Sequence, residues 1–284
     1  MARIGSPGVT ETPADAATPE AAEHRIKLTL HYDGGGFAGW QFQPERRTVQ
    51  GEVTTALSLV TDRPSTVVAA GRTDSGVHAV GQVASTLVPA RWTAGALARA
   101  LNAVLPDDIW VSAAEGVPLA FHARYDAVAR GYLYRVGVHP VSRSPFLRRW
   151  CWPVPENLDP EALADAAGRF TGEHSFRAFA KTGQPERGER CTVHRSEWRA
   201  WGRAGIAYHV IANRFLHHMV RYMVGTMIDV ARARRPAGEI GGLLDERSGL
   251  ATSPPAPARG LFLTRVYYAT NAWEGEEPFD EVLP

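Results

Sequence analysis

Apolar and polar positions divide the chain into short strand-like runs and longer helix-like ones. Ile26 to Tyr32, Thr66 to Ala70, Ala79 to Ala84 and Ile109 to Ala114 are apolar or alternating and bounded by turn-forming residues, the pattern of half-buried or buried strands. Between them, Gln50 to Val60 and Ala94 to Val104 carry helical periodicity. The second half repeats the theme, with a strand at Gly131 to Val138 and a helix at Pro160 to Phe170, where Asp159 and Pro160 occupy the cap and first-turn positions. Strands at Val193 to Ala200 and Ile206 to Ile211 precede the longest predicted helix, Phe215 to Arg232, and Leu261 to Ala269 closes as a strand. Hairpin-like strand pairs between helices predict an α+β fold with a mainly antiparallel sheet. Within the long helix, Leu216, Met219, Val220, Met223, Met227 and Val230 form an apolar stripe. His217 and Arg221, four residues apart, are expected to point together.

One turn stands out from this pattern. Gly71-Arg72-Thr73-Asp74-Ser75-Gly76-Val77-His78 places Arg72, Asp74 and His78 on a loop between two apolar runs, with two glycines that permit positive φ and close approach of another chain. A carboxylate two residues from an Arg is ionised at neutral pH without special tuning, and suits nucleophilic attack or proton abstraction, not acid catalysis. The plain alternative is an Asp that caps backbone amides while Arg72 pairs with a surface acid. Arg221 has a similar alternative as a solvent-facing helix residue. Tyr132 and Tyr134 share one strand face, which ordinarily means packing, and Leu261 reads as core. Neighbouring residues diverge by about 100° on a helix. With no HExxH-type spacing either, His217 and His218 predict no metal site.

Composition narrows the classes. The 284 residues suffice for one large or two moderate domains, and a net charge of +1 excludes a surface coated in basic residues. Nucleic-acid binding would have to rest on local patches. Phe121 to Trp150 holds Arg124, Arg130, Arg135, Arg143, Arg148 and Arg149 against Asp126 alone, and Arg203 to Arg235 is similarly one-sided. Cys151 and Cys191 are too few for a disulfide scaffold or a zinc site, which fits a reducing cytoplasm. Residues 1–24 read as a disordered leader without the apolar core of a signal peptide, and no run is long enough to span a bilayer. The expected organisation is that leader, an N-terminal half at 25–120 carrying the Asp74 loop, a C-terminal half at 121–270 with a basic surface, and an acidic tail at 271–284.

The string Ala70 to Val83 resembles the signature of the TruA family of tRNA pseudouridine synthases, in which the Asp of an AGRTDxGVH segment is catalytic. Ser75 replaces the commoner Ala, a small-for-small change. The resemblance runs from about Arg25 to Ala269, through Phe37-Ala38-Gly39-Trp40-Gln41, Thr48-Val49-Gln50-Gly51-Glu52, Phe121-His122-Ala123-Arg124, Tyr132-Leu133-Tyr134-Arg135, His174-Ser175-Phe176, Phe215-Leu216-His217-His218-Met219-Val220-Arg221 and Ala258-Arg259-Gly260-Leu261-Phe262-Leu263, in family order. The first residues, to about Glu23, have no counterpart, and Lys181 to Arg190 looks like a polar insertion.

The resemblance implies two related α/β domains whose sheets join, with the active site in the cleft between them. It implies a cytoplasmic homodimer that isomerises uridines of the tRNA anticodon arm, at the positions customarily numbered 38, 39 and 40, without a cofactor. Asp74 would be the nucleophile or base, paired with Arg221 and assisted by Arg72. Tyr132 would stack on the target base and Leu261 line its pocket, with His78, Arg124 and His217 also touching substrate. Two rivals remain. Asp74-Ser75-Gly76 also spells the tripeptide of aspartic peptidases, but these need a second copy and none is present. A non-catalytic RNA-binding protein on the same scaffold would have no need of Asp74, Arg72 and Tyr132 together.

Overall fold

The computed structural model describes residues 22–155, 157–181, 188–245 and 249–275. The first half contains β1 (Glu23–Tyr32), α1 (Val49–Thr61), β2 (Val68–Ala69), β3 (His78–Pro89), α2 (Ala94–Asn102) and β4 (Ile109–Val117). The second contains β5 (Ala129–Gly137), β6 (Trp152–Pro153), α3 (Pro160–Gly168), β7 (Gly172–Ser175), β8 (Arg190–Trp201), β9 (Gly205–Ala212), α4 (Met219–Ala231), α5 (Gly238–Leu244) and β10 (Leu261–Tyr267).

All ten strands join one sheet in the order β4-β1-β3-β10-β5-β9-β8-β7, with β2 beside β3 and β6 beside β5. Pairing is antiparallel except where β10 meets β3 and β5 meets β6. This is the mainly antiparallel α+β architecture that the pattern predicts. The last strand lies in the middle: Phe262 pairs with His78 of β3 and with Leu133 of β5.

Side-chain alternation decides which face each half covers. Leu261 and Leu263, paired with Tyr134 and Tyr132, belong to the face that α1 to α5 pack against, whereas Leu133 and Phe262 join Cys151 and Trp201 on the opposite face. One buried cluster joins α1 and α2 to β1, β3 and β4; the other joins α3, α4 and α5 to β5, β8 and β9. Tyr132 packs against both, so it sits at the seam.

Local chemistry sets the helix starts. Thr48 caps α1 by accepting from the Gly51 amide, and Asp159 caps α3 by accepting from Glu161 and Ala162, with Pro160 in the first turn as expected. The start of α4 differs from expectation. The apolar rhythm continues back to Phe215, but His218 adopts φ 66°, a left-handed conformation no helix interior tolerates, so α4 begins at Met219. It is 13 residues long, no longer than α1. Its apolar stripe is as predicted: Met219, Val220, Met223, Met227 and Val230 are all buried.

Other boundaries also move. β1 begins at Glu23, inside the expected leader, because Glu23 and His24 pair with Pro89 and Val88; residues 1–21 lie outside the described residues. Trp273, in the expected tail, is buried against His194 and Tyr267, while residues 276–284 lie outside the described ones. Of the polar loop from Lys181 to Arg190, residues 182–187 are not described. The strand before the Asp74 loop shrinks to β2, and β6, β7 and α5 are too short to carry a sequence signal.

The basic patches are narrower than the sequence implied. Arg135 is buried, its guanidinium 4.6 Å from the Trp201 ring centre. Arg130 spends its donors on backbone carbonyls, and Arg234 and Arg235 face Asp229 and Glu239. Arg124, Arg143 and Arg148 remain on the surface.

His209 in β9 is buried, and burial, then the charges of Arg199 and Arg195, lower its pKa from 6.5 to about 4. The unfolded chain therefore binds this proton more readily, and stability contributed by the neutral ring is present above pH 6.5 and lost as pH falls towards 4. We expect urea-unfolding stability to decline across that window by up to roughly 3 kcal/mol, and His209→Gln to flatten the decline.

Candidate active site

The residues around Asp74 are fixed by backbone contacts from both halves. Ala70 donates to Val83 and ends the pairing with β3, and the chain then turns through Gly76 at φ 78°, with the Val77 amide donating to the Asp74 carbonyl. The segment after β1 supports this turn from the side. Trp40 donates to the Thr73 carbonyl at 3.0 Å, and the Ser75 hydroxyl donates to Phe37 at 3.1 Å. Gly39, at φ 97°, lies so close that a Cβ there would stand 2.7 Å from the Thr73 carbonyl oxygen. Beneath the loop, the Tyr32 hydroxyl meets the Thr73 hydroxyl at 2.8 Å, and Gln82 donates to the Gly71 carbonyl at 2.9 Å. From the other half, Arg130 donates at 2.8 Å to the Ala70 carbonyl and also to those of Arg124, Ala127 and Asn213.

These contacts hold the loop through the carbonyls of Ala70, Gly71, Thr73 and Asp74 and leave the Asp74 side chain for other partners. It is 20% exposed, and three side chains from around the start of α4 face it. Arg221 donates from Nη1 to Oδ2 at 3.4 Å, while its Nε donates to the Ala256 carbonyl at 2.7 Å, which fixes the guanidinium. His217 Nε2 is 3.3 Å from Oδ1 and His218 Nε2 is 3.3 Å from Oδ2. Burial lowers the His218 pKa, and Arg221, His217 and Lys181 act in the same direction against the raising effect of Asp74, so this imidazole is neutral at neutral pH.

Tyr132 forms the floor. Its ring lies edge-on to Phe215 at 4.9 Å, and burial, with the nearby Tyr32 hydroxyl and Asp74 carboxylate, pushes its pKa up, so the phenol stays protonated. Leu261, one strand over, is buried beside it in the C-terminal core.

The expected site residues thus divide. Asp74, Arg221, His217, Tyr132 and Leu261 converge. His217 and Arg221 do point together, but not as helix neighbours: His217 precedes the helix, in the turn that His218 closes. The same turn brings His218 in as well, which overturns the argument that two adjacent histidines must diverge. Arg72 is exposed in the loop, without a side-chain partner among the described residues. Arg124 stands on the surface beside Tyr125, 5.9 Å from that ring centre, with its carbonyl held by Arg130. His78 is placed differently: its ring is 2% exposed, stacked on Phe262 at 4.7 Å, and accepts from the Gly34 amide, so it offers no surface to a ligand. Sequence reasoning missed His218, Phe215 and the backing role of Gly39, although all three lie in segments already singled out.

A carboxylate clamped on a turn between two sheet-sharing halves, above a half-buried tyrosine and beside a fixed arginine, defines a site for attack on or deprotonation of an exposed substrate. The family model for tRNA pseudouridine synthase matches residues 29–126 and 166–269, and the chain belongs to that family. It is 45% identical to the tRNA pseudouridine synthase A of Moorella thermoacetica, over 86% of this chain and 99% of that one. It is 39% identical to the enzyme of that name from Bacillus licheniformis, over 86% and 99%, and 41% identical to that from Cereibacter sphaeroides, over 87% and 98%.

Gly39→Ala would force a strained positive φ and a clash with the Thr73 carbonyl. We expect a loss of about 1–3 kcal/mol in thermal or urea unfolding, with faster hydrogen exchange at the Trp40 amide, whose acceptor is displaced.

Proposed function

We propose that the protein isomerises uridine to pseudouridine in the anticodon stem-loop of tRNA, at positions 38, 39 and 40, as a cytoplasmic homodimer and with Asp74 as the reacting carboxylate. The observation that carries this reading is the position of Asp74: rigidly held, partly open, and flanked by Arg221 and Tyr132 at the seam of the two halves.

The reaction breaks the bond from ribose C1′ to uracil N1 and forms one from C1′ to C5, while the C5 proton is lost and N1 gains one. No atom or electron comes from outside, so the protein must supply a carboxylate, a holder for the detached base and exclusion of water. Asp74 attacks C1′ or removes a sugar proton. Arg221, tethered to the Ala256 carbonyl, holds one carboxylate oxygen and leaves the other turned towards His217. Tyr132 stacks on the base; such stacking contributes roughly 1–3 kcal/mol against the few kcal/mol needed to extrude a nucleotide. Leu261 walls the base pocket. Arg72, exposed on the same loop and without a side-chain partner among the described residues, reaches for a phosphate, and Arg124 contributes from the surface.

Asp74→Asn keeps the size and the loop contacts but removes the charge. We expect tRNA binding to survive and pseudouridine formation to fall below detection, read by chemical mapping of tRNA; normal yield from this variant would refute the assignment. Because phosphate contacts release counterions, tRNA affinity should fall steeply with salt. The surface arginines Arg72, Arg124, Arg143 and Arg148 are the expected sources, so replacing Arg72 with Ala should lower the slope of log affinity against log salt by about one. A salt-independent affinity would remove the electrostatic part of the proposal.

A further inference from the structure

The turn that precedes α4 does more than bring Arg221 to Asp74. It sets two imidazoles against the two oxygens of one carboxylate, and one atom from each of Asp74, His217 and His218 can be chosen so that all lie within 4.8 Å of one another. His217 Nε2 is 3.3 Å from Oδ1, and His218 Nε2 is 3.3 Å from Oδ2. A tetrahedral zinc ion with bonds of about 2.0–2.1 Å holds its ligand atoms about 3.3 Å apart, so the spacing of His217 Nε2 and Oδ1 already matches an edge of such a polyhedron. We propose that Asp74, His217 and His218 bind a divalent transition-metal ion, zinc above all, in the RNA-free protein, and that ion and RNA exclude one another.

Three protein ligands are the number used by open zinc sites, which leave a position for water. Two nitrogens and one oxygen favour zinc, copper or nickel over magnesium, whose preference is for an all-oxygen shell. The backbone of His218 supports the same geometry: a non-glycine residue at φ 66° is what turns both rings to one side, and a helix begun at Phe215 would have separated them. Arg221 opposes the ion. It occupies Oδ2, however, and its second bond to Ala256 draws it to one side, so Oδ1, facing His217, is the oxygen open to a metal. The opposing charge makes the site a reversible one and not a structural one, consistent with a loop already fixed by protein contacts.

The exclusion clause rests on the reading of Asp74 as the group that meets the ribose; the binding clause does not. By linkage, an ion that RNA displaces must itself weaken RNA binding by the same factor.

The test uses the untagged full-length chain. Zinc is titrated by competition with a chromophoric indicator, and cobalt(II) is added separately to read the visible bands of a low-coordinate site. One equivalent per chain is expected, weakened by about tenfold or more in Asp74→Asn and in His217→Ala. His217 is half exposed, so its replacement leaves the fold intact, a point circular dichroism verifies. Absence of competitive binding, or binding that both variants leave unchanged, overturns the metal site. With free zinc held constant by the indicator, an anticodon stem-loop RNA should then expel the ion. Binding that is lost in the variants yet indifferent to saturating RNA would keep the site and overturn the exclusion, and with it the contact between Asp74 and substrate.

Discussion

The insertion of β10 between β3 and β5 is the constraint on which the rest of the structure depends. Its parallel ladder with β3 and antiparallel ladder with β5 make one sheet from two halves that otherwise have separate cores. The register also fixes the site. Pairing Phe262 with His78 places the beginning of β10 beside the turn that ends the Asp74 loop, and pairing Leu263 with Tyr132 sets that tyrosine beneath it. A shift of one residue would send Leu261, Leu263 and Tyr132 to opposite faces. The segment before β10 is held equally closely: Gly225 of α4 has the Pro254 carbonyl where a Cβ would be, the Ala256 amide donates to Arg221, and the Tyr134 hydroxyl donates to Pro257. Arg221 reaches Asp74 across 147 residues of sequence because both ends of that separation are tied to the same central strand.

Within this frame the loop and its side chain obey opposite rules. The carbonyls of Ala70, Gly71 and Thr73 find partners in Arg130, Gln82 and the segment after β1, which lowers the conformational entropy left to lose when a substrate binds. The carboxylate is left beside partners that do not close over it. Arg221 at 3.4 Å is at the long end of hydrogen bonding, two imidazole nitrogens lie 3.3 Å away, and none buries it. Long contacts of this kind are common before substrate arrives and tighten afterwards.

Much of this was legible in the sequence, for reasons that differ between elements. Strand β1 announces itself because half-buried alternation is a period-two signal, β3, β5 and β9 because they are short apolar runs bounded by turn residues, and α3 because Asp159 and Pro160 specify where it starts. The start of α4 was not legible. Phe215 and Leu216 continue the apolar rhythm, and periodicity reports which residues are buried without reporting a single left-handed φ at His218. His78 failed for a related reason: as the first residue of β3 rather than the last of a loop, it takes the alternation of the strand and points into the opposite face with Phe262. The arginine patches failed because charge counted along a sequence ignores partners. Arg130 and Arg135 look alike in the chain, yet one clamps four carbonyls and the other is buried over Trp201. The partnership of Arg221 with Asp74 was visible only through the family resemblance, since no local pattern links positions so far apart.

The protonation states around Asp74 follow from the same arrangement and limit the chemistry available. Tyr132 is kept protonated by burial, the neighbouring Tyr32 hydroxyl and the Asp74 carboxylate, so its phenol is not a proton acceptor. Arg221 is permanently charged and cannot exchange a proton. His218, whose pKa is lowered by burial, stands 3.3 Å from Asp74 Oδ2. The strained backbone that holds His218 in place costs stability that a purely structural turn would avoid, for instance with glycine at that position.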